Sequence, residues 1–155
     1  MMLALVSAAA MAAASPPPSP MDAIAGDWVT GDGSAIVRLF ACADDADALC
    51  GNMIWIENPA WVEDRFLGGE ILADFSFDQG AWRRGHLTNP EDGHVYRGSI
   101  RLEDEDMLKL KGCALRILCQ TQTWSRLQSM RGVGAAPEEL VMDQLPGPLQ
   151  ALPTR

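Results

Sequence analysis

Basic residues are scarce in this chain of 155 residues: 12 lysines and arginines stand against 21 aspartates and glutamates, which gives a formal net charge of −9 at pH 7. No run of lysine or arginine alternates with aromatic residues. Because an acidic protein repels the phosphate backbone, the composition argues against a nucleic acid as a partner.

Catalytic motifs are also missing from the sequence. It contains no glycine-rich phosphate loop, no G-x-S-x-G elbow and no cysteine–histidine pairing. Cys113 and Cys119 lack the C-x-x-C spacing of a thioredoxin-type redox motif. We therefore predict that the protein is not an enzyme, and the sequence indicates no cofactor and no metal.

The N-terminal residues have the pattern of an export signal. Residues 1–14 are apolar and small, and they end in Ala12, Ala13 and Ala14 before a proline cluster, which is typical of a signal-peptide core and its cleavage site. The run is shorter than the ~20 residues that a spanning helix needs, so we expect no stable membrane span once the leader is removed. Residues 15–23 are predicted to form an extended, proline-rich spacer. The predicted location is periplasmic or secreted.

Helical periodicity is not sustained anywhere between residues 26 and 126. Apolar alternation and turn residues instead predict eight strands, at 26–30, 35–42, 50–57, 70–77, 81–88, 94–102, 107–112 and 117–126. The turn at 89–93 is the clearest hairpin, because Pro90 sets φ and Gly93 supplies the position with φ > 0. The connection at 58–68 is predicted to hold one helical turn.

Two residue pairs bracket these strands, Gly26-x-Trp28 and Trp124-x-Arg126. Such pairs close the floor of small calycin-type barrels, where the arginine stacks on the first-strand tryptophan and bonds to the chain end. Eight sequential strands with short links favour an all-β fold, an antiparallel up-and-down barrel over residues 24–126. A two-sheet sandwich is the rival architecture.

The turns of such a meander alternate between two ends. The end that contains Trp28 and Arg126 is expected to be closed, and its acidic turns either remain solvated or bind calcium. At the open end the longest link runs from Asn58 to Gly69 and carries Trp61 and Phe66. These side chains act either as a mobile lid or as a plug of the barrel top.

The four cysteines flank two turns of this layout. Cys42 and Cys50 lie beside a turn at the closed end, and Cys113 and Cys119 lie beside a turn at the open end. A bridge between the two pairs would span roughly 20 Å, whereas a disulfide tolerates a Cα separation of at most ~7 Å. We therefore predict Cys42–Cys50 and Cys113–Cys119, in an oxidising compartment. A zinc site made of all four thiolates is the less favoured alternative.

Several apolar side chains are candidates for a pocket inside the barrel. The predicted inward residues are Ile71, Phe75, Phe77, Tyr96, Ile100 and Leu102, and Ala73 is predicted to share the face of Phe75. With Trp61 and Phe66, the residues Phe75, Tyr96 and Ile100 form the candidate ligand-binding set. Polar groups come from Arg38, Gln120 and Gln122 if their faces turn inward, as in many ligand pockets. The alternatives are a packed core and polar residues that face solvent.

His86 and His94 straddle the turn at 89–93. If Thr88 pairs with His94, both imidazoles face the side of Tyr96 and could bind a metal or act as acid and base. No third ligand is identifiable, and histidines at a barrel rim are usually solvated or cap the turn.

The ordered motifs resemble a known family. In the first half these are Gly26-Asp-Trp28, Leu49-Cys50-Gly51 followed by Ile54-Trp55-Ile56, and Arg65 before Gly69-Glu-Ile-Leu72. In the second half they are Trp82-x-x-Gly85, Pro90-x-Asp-Gly-x-x-Tyr96, Leu110-x-Gly-Cys113 and Gln122-Thr-Trp-x-Arg126. In order and spacing they resemble the exported bacterial family catalogued as domain of unknown function 2147. Asn89 and Phe66 depart from its pattern.

The resemblance implies a lipocalin-like barrel and export, and it leaves the activity open. Two hypotheses follow: the barrel binds a small, largely apolar molecule, or it is filled and contacts another envelope protein. Residues 127–155, which are rich in glycine and proline, are predicted to form a tail that is flexible or docked.

Overall fold

The computed structural model describes residues 15–115 and 117–127. A short helix, α1 (Pro20–Ile24), precedes eight strands. These are β1 (Gly26–Val29), β2 (Ala35–Ala41), β3 (Ala48–Ile56), β4 (Glu70–Asp78), β5 (Ala81–Thr88), β6 (Val95–Leu102), β7 (Met107–Ala114) and β8 (Leu118–Arg126). Two 3₁₀ turns, Pro59–Trp61 and Asp64–Phe66, lie in the link between β3 and β4.

The strands form a closed barrel in which each strand pairs antiparallel with its neighbour along the chain. β1 and β8 complete the ring by pairing Trp28 with Arg126 and Val29 with Ser125. The predicted eight-stranded up-and-down barrel is therefore confirmed. The turn at 89–93 forms as the sequence predicts, with Gly93 at φ 71° and its N–H donated to the Asn89 carbonyl.

Helix α1 is a departure from the extended spacer predicted for residues 15–23. Ser19 caps the helix by accepting a hydrogen bond from the Asp22 N–H, and Pro20 occupies the first helical position. Ile24 at its end is buried, and its carbonyl accepts a hydrogen bond from the Trp28 indole at 2.9 Å. The helix thus covers the end of the barrel where β1 begins.

The core is continuous through the middle of the barrel. Buried side chains from all eight strands meet there, and those that are fully buried include Leu39, Leu72, Phe75, Ile100 and Leu108. Phe75 lies over two glycines of the neighbouring strands, Gly85 and Gly98, whose missing side chains leave room for its ring. The centre of the barrel is therefore filled by protein side chains.

Backbone irregularities shift the predicted faces of two strands. In β4, Asp74 adopts φ 59° and interrupts the alternation, so that Leu72 and Phe75 are fully buried while Ala73 is half-buried. The prediction that Ala73 shares the face of Phe75 is wrong, because Ala73 pairs with His86 on the outer face. Phe77 does lie on the inner face, where it pairs with the buried Trp82, but it is at the rim with 44% of its surface exposed.

In β2 the buried residues are Val37 and Leu39, so Arg38 points outward. The prediction that the Arg38 face turns inward is therefore wrong, because the inward face of β2 is shifted by one residue. Its guanidinium instead forms an ion pair with Asp27, at 2.7 and 2.9 Å. Within the described ranges, no helix is both long and apolar enough to cross a membrane.

Candidate functional site

Arg126 closes one end of the barrel. Its guanidinium carbon lies 4.2 Å from the centre of the Trp28 ring. It donates hydrogen bonds to three backbone carbonyls: Ala23 at 2.6 Å, Ala25 at 3.0 Å and Glu105 at 2.7 Å. A side chain at Gly26 would lie 3.1 Å from the same guanidinium, so glycine there leaves room for it. One arginine thus joins α1, β1 and the β6–β7 turn into a floor.

The link between β3 and β4 covers the other end only in part. Phe66 is 7% exposed and belongs to the core cluster, and Val62 packs against that cluster. Trp61, by contrast, keeps 57% of its surface exposed. The Gly68 N–H donates to the Met53 carbonyl and the Met53 N–H donates to the Gly69 carbonyl, which ties the link to β3. The link therefore contains both a plug, Phe66, and an uncovered aromatic, Trp61.

The inner wall near this end is open to solvent. Gln120 and Gln122 pair with Gly112 and Leu110 in the β7–β8 register, and Leu110 is buried, so the two glutamines lie on the inner face. Both are nevertheless exposed. Gln122 accepts a hydrogen bond from the buried Trp124 indole at 3.0 Å. Two amides therefore face the open end above a packed floor, and they can donate to and accept from a bound polar group.

Tyr96 and Leu87 border the same wall. They are Cα partners in the β5–β6 register and are half-buried, and a side chain at Gly112 would lie 3.0 Å from Leu87. We define the open end as Trp61, Leu87, Tyr96, Gln120 and Gln122. Its chemistry is apolar and aromatic with three uncharged polar groups, a combination suited to binding rather than to proton transfer.

The structure separates the five candidate ligand-binding residues into two groups. Phe75 and Ile100 are 0% exposed and Phe66 is 7% exposed, so these three are packed into the core. Trp61 and Tyr96 remain accessible at the open end. Leu87 was not predicted; its alternation with Gly85 on β5 is the sequence signal that indicates the inner face.

The two histidines do not form a joint site. Thr88 pairs with Val95 rather than with His94, and His86 pairs with Arg97, which places His86 on the outer face, away from Tyr96. The predicted shared face is therefore wrong, because the pairing differs by one residue. Each histidine has its own carboxylate: Nδ1 of His86 lies 3.7 Å from Asp74, and Nδ1 of His94 lies 3.1 Å from Asp92.

The hydrogen bond from the His94 backbone N–H is the main reason that the pKa of Asp92 is lowered. The Asp92 carboxylate therefore stabilises the backbone of the turn. Across residues 15–115 and 117–127, no group of three or more histidine, cysteine, aspartate or glutamate side chains is arranged to bind a metal ion.

Both predicted disulfides are present in the structure. Cys42–Cys50 has a Cα separation of 5.0 Å and Cys113–Cys119 one of 4.0 Å. The first is buried beside Ala48, whereas Cys119 in the second is exposed. Each disulfide closes one hairpin, at opposite ends of the barrel.

The acidic turns of the closed end have local roles in the backbone. Asp45 accepts a hydrogen bond from the Asp47 N–H at 3.0 Å, and Asp104 accepts one from the Asp106 N–H at 2.8 Å. These carboxylates shape their turns in the manner of Asx turns.

A groove that the sequence did not reveal lies on the outer face of β5, β6 and β7. It has a volume of about 610 Å³, and its lining includes Arg84, Arg97, Ser99, Lys111, Cys113 and Leu115. The signal for it is the alternation of basic residues along β6 and β7, which is informative only once the register is known.

Comparison with known proteins finds a similar fold among solved structures. One solved structure, described as "Protein HP1028 from the human pathogen Helicobacter pylori belongs to the lipocalin family", superposes with a TM-score of 0.53 at 16% identity. The match covers 70% of this chain and 85% of that chain. At this identity the likeness concerns the fold alone. Among curated proteins, the comparison finds no match.

A sequence family also matches, over residues 26–126, and it is described as uncharacterized protein conserved in bacteria (DUF2147). The matched residues run from Gly26, at the start of β1, to Arg126, at the end of β8, and so comprise the whole barrel. The chain therefore belongs to the DUF2147 family of bacterial proteins and has a lipocalin-like barrel.

Proposed function

We propose that the protein is an exported, periplasmic binding protein that holds a small, largely apolar molecule at its open end without transforming it. The observation that carries this proposal is the exposure of Gln120 and Gln122 on the inner face of the barrel. An inner wall of two amides, Tyr96 and Leu87, at the same end of the barrel as the exposed Trp61, has the composition of a small-molecule site.

Export is supported by the two disulfides, since such bonds persist in oxidising compartments. The apolar leader at residues 1–14 agrees with it, although that segment lies outside the described residues. A role without catalysis is supported by the separate placement of the two histidines, since each lies beside a different carboxylate and His86 is on the outer face. Among the five residues that define the open end, Tyr96 alone has an ionisable side chain.

A second candidate is an envelope interaction module. It is favoured by the filled centre of the barrel, where Phe75 and Ile100 are fully buried. Under this reading Trp61 contacts another protein rather than a ligand.

The two candidates are separated by titrating the mature chain, residues 15–155, with a fluorescent fatty-acid analogue. If the open end binds small molecules, the probe binds, and Trp61→Ala raises its off-rate while the melting temperature hardly changes, because Trp61 is largely exposed. Phe66→Ala should instead lower stability by about 2–4 kcal/mol through lost burial.

Met107→Ala is the matched control, because Met107 is 42% exposed at the opposite end of the barrel. It should leave probe binding unchanged. Absence of probe binding to the stable wild-type chain would lead us to abandon the small-molecule role in favour of the interaction module. A probe that binds equally well to the Trp61→Ala and Tyr96→Ala variants would place its site away from the open end.

A further inference from the structure

Basic side chains gather on the outer face of β5, β6 and β7. The register places Arg97 opposite Cys113, Ser99 opposite Lys111 and Arg101 opposite Lys109. The residues between them on the strands, Ile100 and Leu110, are buried in the barrel, so the basic residues point outward. We call this surface the cationic face, and it comprises Arg84, Arg97, Arg101, Lys109 and Lys111.

The charges of the cationic face are only partly neutralised. Lys109 has Glu103 at 3.3 Å and Arg84 has Asp78 at 3.8 Å. In the part of the chain that the structure describes, Arg97, Arg101 and Lys111 have no carboxylate within ion-pair distance. Like charges directly opposite in a sheet are destabilising, and Arg101 lies directly opposite Lys109. In a protein with a net charge of −9, this concentration of cations indicates an anionic partner.

An apolar tip adjoins the cationic face. The turn between β7 and β8 exposes Leu115 by 85%, Ile117 by 82% and Leu118 by 67%. The Cys113–Cys119 disulfide closes the hairpin directly beneath these residues. Leu115 also lines the groove with Arg97 and Lys111, so the apolar tip and the cations form one continuous surface.

Acidic residues lie in the links at both ends of the barrel, and those of the open end include Asp32, Glu63, Asp64, Glu91 and Asp92. The acidic turns at Asp44–Asp47 and Glu103–Asp106 lie at the closed end, whereas the apolar tip lies at the open end. An approach to an anionic surface is therefore favoured by the local cluster of cations beside the tip rather than by a charge difference between the two ends.

We propose that the apolar tip and the cationic face together dock the protein on an anionic lipid bilayer. Leu115, Ile117 and Leu118 enter the boundary between head groups and acyl chains, and Arg97 and Lys111 contact the lipid phosphates. A bilayer fits better than a protein, because the apolar residues form a convex hairpin end flanked by cations rather than a flat or concave patch. The proposal does not depend on whether the open end binds a ligand.

Docking is tested by co-sedimentation of the mature chain with vesicles of phosphatidylcholine that contain about one third phosphatidylglycerol. Binding should be strong at low ionic strength, fall steeply as salt is added and be at least tenfold weaker on pure phosphatidylcholine. Arg97→Gln and Lys111→Gln should each weaken binding about fivefold. Arg38→Gln, on the outer face of β2, is the matched control and should leave binding unchanged.

The apolar part of the proposal has its own readout. Ile117→Trp introduces a reporter at the apolar tip, and its emission should shift to the blue on anionic vesicles and be quenched by brominated acyl chains. Leu115→Ser with Leu118→Ser should weaken vesicle binding at least tenfold, whereas Met107→Ser at the closed end should have no effect. Thermal unfolding of every variant shows whether the fold is intact.

Four results would overturn the proposal. The first is the absence of binding to anionic vesicles at low ionic strength by folded protein. The second is vesicle binding that survives the tip substitutions, together with equally tight binding of short-chain polyphosphate. This combination would mean that the surface is a site for free anions. The third is a blue shift of the introduced tryptophan emission that appears in the absence of lipid and grows with protein concentration. It would mean that the tip forms contacts between copies of the chain. The fourth is the capture of one acidic protein that competes with vesicles for binding, which would mean that this surface binds that protein.

Discussion

The ring of Phe75 occupies the space that a side chain at Gly85 would need. A Cβ built on Gly85 overlaps the ring, and one built on Gly98 lies 3.0 Å from its tip. Three neighbouring strands, β4, β5 and β6, are therefore matched in shape at the centre of the barrel: one large residue meets two glycines. The centre can be repacked only if these positions change together.

Gly85→Ala should lower the free energy of unfolding by roughly 2 kcal/mol or more, because the new methyl group overpacks a full core. Gly98→Ala should cost less, since it meets the end of the ring rather than its face. The second substitution Phe75→Leu should recover part of the loss in the Gly85→Ala variant. Urea denaturation of the single and double variants measures the coupling, and strictly additive effects would contradict the packing described for Phe75.

Arg126→Ala should destabilise the fold by at least ~2 kcal/mol, because it removes the stack on Trp28 and three hydrogen bonds to backbone carbonyls. Arg126→Lys should recover little, since an ammonium cannot reproduce the planar fork. The control is Arg38→Ala, which breaks an exposed ion pair and should cost less than ~1 kcal/mol. Equal losses in the two alanine variants would mean that Arg126 does not hold the floor.

Loss of either disulfide should cost ~2 kcal/mol through the greater freedom of the unfolded chain. The Cys42→Ala, Cys50→Ala pair should cost more than the Cys113→Ala, Cys119→Ala pair, because Cys42 and Cys50 are 5% and 3% exposed and pack in a small buried cluster with Ala48 and Phe40. Thermal unfolding of the two double variants gives the order. Non-reducing peptide mapping of the wild-type chain checks the pairing itself, and any cross-linked product between the two hairpins would contradict the strand order.

The β1–β2 turn should respond to acid through Asp32. Partial burial raises the pKa of this carboxyl, but hydrogen bonds from the Ser34 N–H and from the hydroxyls of Thr30 and Ser34 outweigh it, so the pKa is lowered below 3.8. A carboxylate with a lowered pKa contributes stability that is present at neutral pH and is lost as the pH falls through its folded value.

Asp32→Ala should therefore cost no more than ~1 kcal/mol at neutral pH, given the exposure of the turn, and the difference from wild type should shrink below pH 3.8. Removing the two hydroxyl donors in a Thr30→Val, Ser34→Ala variant should reduce that pH dependence without abolishing it, because the Ser34 N–H still donates to Asp32. Denaturation curves across the acid range test both statements, and a difference that grows as the pH falls would have the wrong sign for this mechanism.

Much of the fold was predictable because its signals are local. Turn residues such as Pro90 and Gly93 set the hairpins, and the Trp28–Arg126 pair marks the two ends that meet in the ring. The structure differs from the prediction where one residue changes the register. Positive φ at Asp74 and the pairing of Thr88 with Val95 both arise from contacts between strands, which alternation within a single strand does not encode.

The candidate site was predictable only in part, for the same reason. Trp61 was expected at the open end and Tyr96 on the inner face; Trp61 lies in the link at that end, and Tyr96 is half-buried opposite Leu87. In the sequence, Phe75 and Ile100 cannot be told apart from residues that line a cavity. Both are packed in the core, because burial depends on how deep in the barrel a residue lies. The cationic face could not be predicted, since it joins residues from β5, β6 and β7 that are distant in sequence.

The barrel is joined along a seam only two residue pairs long, Trp28 with Arg126 and Val29 with Ser125. Within the described residues, the part of β8 from Leu118 to Trp124 pairs with β7 alone. Amide protons in this stretch that do not point toward β7 should exchange with solvent long before those of β5, which lies between two long neighbours. Hydrogen exchange would then follow the order of the ring, fastest at the seam and slowest at the strands opposite it.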